Sequence, residues 1–256
     1  MRKFLFILLL SIPSLAAAGP LADAIESGDE GNFYFSFETR EGVWGDGHTL
    51  TIHSDDDSMY MSGRQDRWRN QLTEGPGRVW LRIRRGELVD IDLEVGGPEP
   101  SLRSKTTDLG FIESGEVQEF MLRVAETTRN GDLDHAIVCT LVTVDFDDWE
   151  RLLALARDAD RPDDIRESAI FWLGQEAGEV ATDGLTRIVE DDDIELELRE
   201  HAIFSLSQQG IDTAFPALKN VALNSRHPQL RENALFWLAQ YDDPRVVDLI
   251  EEILLK

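Results

Sequence analysis

Three ungapped copies of one decapeptide, 33 and 32 residues apart, constrain this chain more than any other feature. They are Arg166-Glu-Ser-Ala-Ile-Phe-Trp-Leu-Gly-Gln175, Arg199-Glu-His-Ala-Ile-Phe-Ser-Leu-Ser-Gln208 and Arg231-Glu-Asn-Ala-Leu-Phe-Trp-Leu-Ala-Gln240, identical in six of ten columns. A repeat of about 33 residues is the signature of stacked supersecondary units, in which each unit buries its apolar face against its neighbours. Between the copies lie further stretches of helical period, 181–190, 213–224 and 244–256, each opened by a leucine: Leu185, Leu218 and Leu249. Those leucines sit 19, 19 and 18 residues after the repeat arginine, so every unit is expected to be a helix pair. Pro162, Asp183, Gly210, Pro228 and Pro244 stand where helices should begin or end.

One period further back, Leu152 takes the place of Leu185. This marks an earlier, degenerate unit with helices over 133–142 and 149–157. It lacks the Arg-Glu pair and the Phe column, as an end cap presenting a different face would. An amphipathic helix over 114–127, with Val117, Phe120, Met121 and Val124 on one side, leads into it.

The pattern Ile165-Arg-Glu-x-Ala-x-x-x-Leu-Gly174, a small-residue turn and a second Leu-rich helix resemble the short bacterial HEAT-like repeats, the class also seen in phycobilin lyase subunits. The resemblance covers roughly the last 120 residues. It implies an α-solenoid, and a role in which most members are protein-binding scaffolds and a minority handle bilin chromophores. There is a looser similarity to exported bacterial HEAT-repeat proteins with a small N-terminal β-region. No catalytic motif comes with it.

At about 100° per residue, Ala169 and Leu173 form the core stripe of a first helix, while Phe171 points about 200° away from Ala169. Stacking then sets Phe171, Phe204 and Phe236 in one column beside Gln175, Gln208 and Gln240, with Trp172 and Trp237 flanking. Charge would occupy that face of an ordinary solvated helix. These eight residues are the candidate binding surface. The alternatives are that the N-terminal region covers the column, or that each Phe fills the gap to the next unit. Arg166, Arg199 and Arg231 could bind phosphates or carboxylates, but Glu167, Glu200 and Glu232 follow directly. A ladder of arginine contacts between units is the expected role. Asp191-Asp192-Asp193, in an inter-helix turn, is expected to be solvated.

The N-terminal part has a different period. Phe33, Phe35 and Phe37 alternate over 32–40, and Val79, Leu81 and Ile83 over 78–84. After a turn at Arg85-Gly86, Val89, Ile91, Leu93 and Val95 complete a β-hairpin with one buried face. Residues 49–53 and 58–62 are further candidate strands. The expected fold is therefore α+β: a small, mostly antiparallel N-terminal sheet followed by an α-solenoid of about four HEAT-like helix pairs. The expected divisions are 1–18, 19–110 including a linker from Gly96-Gly97-Pro98 to Gly110, and 111–256.

Residues 1–18 carry Arg2 and Lys3, an apolar run from Phe4 to Leu10, and Ala16-Ala17-Ala18. That order is a secretory signal peptide, too short in its apolar run to span a bilayer. Export to the periplasm or exterior is the expectation, with no membrane insertion after cleavage. Removing Arg2 and Lys3 from 25 basic residues against 50 acidic ones leaves a charge of about −27, which excludes nucleic acid as a natural partner. Cys139, the one cysteine, sits among apolar neighbours and reads as an inert buried thiol.

Chemistry has little support. His48 and His53 with Asp46, Asp55, Asp56 and Asp57 resemble a metal cluster, but the spacing sends the two histidines to opposite faces of a strand and no calcium loop is present. There is no nucleophile elbow, phosphate loop or zinc-protease motif. Trp44, Trp68 and Trp80 could line a carbohydrate surface or form partial core. No cofactor or metal is called for. The sequence thus points to a non-enzymatic scaffold with an unknown protein partner. The rivals are a lyase-like enzyme subunit with a site where the two halves meet, and a protein stabilised by cations.

Overall fold

The computed structural model describes residues 21, 30–48, 50–52, 72–85, 87–102, 104–143, 146, 148–175 and 179–255. The candidate signal peptide, the strand expected over 58–62, His53, Asp55, Asp56, Asp57 and Trp68 lie outside them. Among the described residues six strands precede the helical units: β1 (Gly31–Phe37), β2 (Val43–Gly45), β3 (Leu50–Ile52), β4 (Gly77–Arg84), β5 (Glu87–Val95) and β6 (Thr106–Phe111). Helices follow: α1 (Ser114–Thr127), α2 (His135–Thr143), α3 (Trp149–Arg157), α4 (Asp163–Gln175), α5 (Glu179–Glu190), α6 (Leu196–Ser207), α7 (Ile211–Asn224), α8 (Pro228–Leu238) and α9 (Pro244–Leu254). Paired as α2–α3, α4–α5, α6–α7 and α8–α9, they make four units, as the repeat register requires. Asp183, expected to mark a helix boundary, lies inside α5.

The larger sheet has the order β5-β4-β1-β6. β1, β4 and β5 pair antiparallel, but β6 runs parallel to β1, making the sheet mixed. The stretch expected to be a linker thus contributes a strand. Phe33, Phe35, Phe37, Val79, Leu81 and Ile83 turn to the core, as the alternation predicts. A smaller β2–β3 hairpin lies against the end of β5, where Gly96 must be glycine: its φ is +62°, and a Cβ there would fall 2.4 Å from the Gly45 carbonyl oxygen.

The inner face of the sheet and the helices share one core, running from Phe35, Ile83 and Ile91 through Met121, Ile137 and Leu141 to Leu218 and Leu249. Backbone contacts fix the junction. Arg40 donates its N–H to the Val142 carbonyl at 3.0 Å and its Nε to the Leu141 carbonyl at 2.8 Å, satisfying two of the orphan carbonyls at the α2 C-terminus. Ser114 Oγ reaches the Glu38 carbonyl at 2.6 Å, and Asn130 Nδ2 the Val89 carbonyl at 3.4 Å. The sheet therefore sits on the first, degenerate unit, the place a repeat array needs a cap. Cys139 is fully buried in that unit, and burial pushes its thiol pKa well up. No helix among the described residues is long and apolar enough to cross a membrane.

Candidate functional site

The outer face of the first helices carries the repeat column. Phe171 and Phe236 are exposed, at 38% and 57%, and Phe204 is half-buried. The difference follows from one position. Phe204 on α6 lies 4.9 Å, centroid to centroid, from Trp237 of the next unit. The residue that would meet Phe171 in the same way is Ser205, so Phe171 turns its edge to Trp172 of its own helix at 5.2 Å. Phe236 closes the second cluster, edge to face with Trp237 at 5.0 Å. Of the two structural alternatives, inter-unit filling describes Phe204 alone, and among the described residues the sheet covers none of the three. Gln208 and Gln240 are exposed and Gln175 is half-buried, completing an amide row one helical turn beyond the rings.

Ser205 is small for a physical reason. A Cβ on Gly174 would meet the Ser205 Cβ at 2.5 Å, its carbonyl oxygen at 2.7 Å and its Cα at 2.8 Å. α4 and α6 thus cross with their backbones almost touching, and an indole at 205 has no room.

The repeat arginines turn inward. Arg166 and Arg199 are buried. Each donates its Nε to a carbonyl ten residues earlier, Arg166 to Ala156 at 3.3 Å and Arg199 to Val189 at 2.8 Å. These are the C-terminal carbonyls of the preceding unit's second helix, where a cation is favoured by the helix dipole. Each also meets a carboxylate: Arg166 pairs with Glu195 at 2.8 Å and Arg199 with Asp192 at 3.0 Å. Arg231 is half-buried and donates to the Ser225 carbonyl at 2.8 Å. The arginines therefore form the expected brace, and those contacts occupy them.

Asp192 and Asp193 are exposed in their turn, as expected, but Asp191 and Asp192 also carry contacts between units. Asp191 pairs with Arg157 at 2.8 Å and accepts from the backbone N–H of Asp193. Asp192 accepts from His227 at 3.1 Å as well as from Arg199, tying the turns of adjacent units together. These hydrogen bonds hold the carboxyls below their usual range: for Asp191 the Asp193 N–H first and then Arg157, for Asp192 His227 and then Arg199. The Arg166 guanidinium does the same for Glu195. Sequence reasoning missed this because the partners lie 7 to 35 residues away.

A second apolar surface also went unread. Val247 and Leu254 on α9 are 57% and 79% exposed, and Ile250 between them is exposed too. Ile250 occupies the register position of Lys219, which in α7 reaches forward to Glu252 at 3.9 Å.

In the sheet half, a cleft of about 600 Å³ opens beside Arg40, lined by Phe37, Glu38, Glu41, Glu74, Pro76 and Phe111 and by no residue of the helices. Trp44 is exposed on β2, whereas Trp80 packs against Tyr34 in a tilted pair, centroids 4.7 Å apart. Among the described residues no three His, Cys, Asp or Glu side chains are placed to hold a metal.

Residues 230–256, which take in most of α8 and all of α9, match the family described as PBS lyase HEAT-like repeat. No curated protein and no solved structure matches the chain.

Proposed function

We propose that this chain, whose fourth unit is a HEAT-like repeat, is an exported, non-enzymatic scaffold that binds another protein through the outer surface of its first helices. The carrying observation is the pair of exposed rings Phe171 and Phe236 on α4 and α8, flanked by half-buried Trp172, Phe204 and Trp237 and standing beside Gln175, Gln208 and Gln240. Exposed aromatic rings on a rigid frame, ringed by polar groups, are the composition of interface hot spots. Phe171 and Phe236 each rest against the tryptophan beside them on the same helix, and Phe204 against Trp237 of the next unit, which limits the conformational entropy lost when a partner docks. Cross-linking and mass spectrometry on the native envelope and secreted fractions test this reading. The expected result is a partner peptide linked to residues of α4, α6 or α8. Recovery of no partner, or of links confined to the sheet, sinks it.

The second reading is an enzyme or lyase-like subunit with a site where the sheet meets the solenoid, favoured by the cleft beside Arg40, which is lined by Glu38, Glu41 and Glu74 and whose arginine reaches the α2 carbonyls. It predicts that a small-molecule ligand raises the melting temperature of the wild type but not of Glu41→Gln/Glu74→Gln.

A further inference from the structure

The aromatic row has an acidic row one turn before it: Glu167, Glu200 and Glu232 stand four residues ahead of Phe171, Phe204 and Phe236. Residues four apart on a helix are neighbours, with Cβ atoms about 5–6 Å apart. Each unit therefore offers a carboxylate and a ring to the same incoming group. Glu232 is exposed, and Glu167 and Glu200 are half-buried. The repeat's own cations do not offset this charge on the surface, because Arg166 and Arg199 are turned inward onto helix carbonyls. The formal charge of the outer face is left to carboxylates, Asp164 and Glu197 among them, with His201 3.9 Å from Glu167. A second copy of the chain would bring like charges together on this face.

Resting on the scaffold reading, we infer that the partner is a cationic extended segment with Lys or Arg at every third residue, laid across α4, α6 and α8. An ammonium or guanidinium is the group that satisfies both a carboxylate and the face of an adjacent phenyl ring. The spacing follows from packing. Adjacent helices pack about 8–10 Å apart, and a polyproline II segment advances about 9.3 Å in its three-residue turn. One basic side chain per turn thus falls on each successive Glu–Phe pair. The amide row then faces the segment's backbone, which has no internal hydrogen bonds. Aromatic surfaces are also the ones on which such preformed segments dock.

The test uses the full mature chain and four synthetic peptides: (Lys-Pro-Pro)4, (Glu-Pro-Pro)4, a Lys-Pro alternation of equal charge, and a scrambled Lys/Pro/Gly peptide. Binding is read by fluorescence anisotropy, and oligomeric state by sedimentation velocity. The expected result is saturable binding of (Lys-Pro-Pro)4, weakened roughly tenfold or more by Phe171→Ser/Phe236→Ser and by Glu167→Gln/Glu200→Gln/Glu232→Gln. Val247→Ser on α9 should leave it unchanged. Circular dichroism confirms that every variant is folded. Equal binding of the other two cationic peptides overturns the spacing claim, leaving bulk charge attraction. Equal binding of (Glu-Pro-Pro)4, or indifference to the Phe pair, overturns the site. So does a wild-type dimer that Phe236→Ser dissociates, because the occupant is then a second copy. If cross-linking finds a partner on α4, α6 or α8 while (Lys-Pro-Pro)4 fails to bind, this inference falls and the scaffold reading stands.

Discussion

Gly174 and Ser205 bring α4 and α6 so close that a β-carbon on Gly174 would lie 2.5 Å from that of Ser205. Gly174→Ala should destabilise the protein by about 1–3 kcal/mol through overpacking, and Gly174→Val by more. Adding Ser205→Gly should give little rescue, because the Ser205 carbonyl oxygen and Cα already stand at 2.7 and 2.8 Å. Urea denaturation of the two single variants and the double variant measures this.

The three repeat arginines should not be equivalent. Arg166→Ala strips the buried Ala156 carbonyl of its Nε–H donor and removes the Glu195 pair, for a loss of about 2–3 kcal/mol. Arg231→Ala should cost less than half of that, since Arg231 is only half-buried. Equal midpoints in denaturant would refute the ranking.

The three Phe residues should also separate. Phe171→Ser and Phe236→Ser should shift stability by roughly 0.5 kcal/mol or less, as exposed substitutions do. Phe204→Ser loses the inter-unit contact with Trp237 and should destabilise clearly more. Thermal melts of the three single variants decide it.

The carboxyls of Asp191, Asp192 and Glu195 are held below their ordinary values in the folded chain. The unfolded state therefore binds their protons at higher pH than the folded state. Their stabilising contribution is complete above about pH 5 and is lost as pH falls through the ordinary carboxylate range, near pH 4, and below. Relief of the chain's negative self-repulsion acts in the opposite direction, so the measurement is a difference. The gap in melting temperature between wild type and Asp191→Asn/Asp192→Asn/Glu195→Gln should shrink progressively as pH falls below about 5.

Cys139 is buried and its thiol pKa is raised, so the native protein should not react with an aromatic disulfide reagent at pH 8. In denaturant one thiol per chain should react at once. Reaction of the native protein at the unfolded rate would contradict the packing of α2.

The repeat register was readable because each helix pair is encoded within a period of 33 or 32 residues, and its apolar spacing is local. The β4–β5 hairpin was readable for the same reason. β6 was not: its strand partner β1 lies about 70 residues upstream, and its exposed Asp108 and Phe111 break the alternation that marks a half-buried strand. The contacts of the aspartate turn were not readable because the groups that bind it sit on other units.

By itself, then, the sequence determined the number and phase of the helical units, which face of each is core, and that Phe and Gln recur on the opposite side. Local periodicity carries all of that. Tertiary structure alone decided which Phe stays in solvent, because that depends on whether the neighbouring helix presents Trp237 or Ser205. It also decided that the repeat arginines point inward, since the helix carbonyls they satisfy become their neighbours only when the units stack.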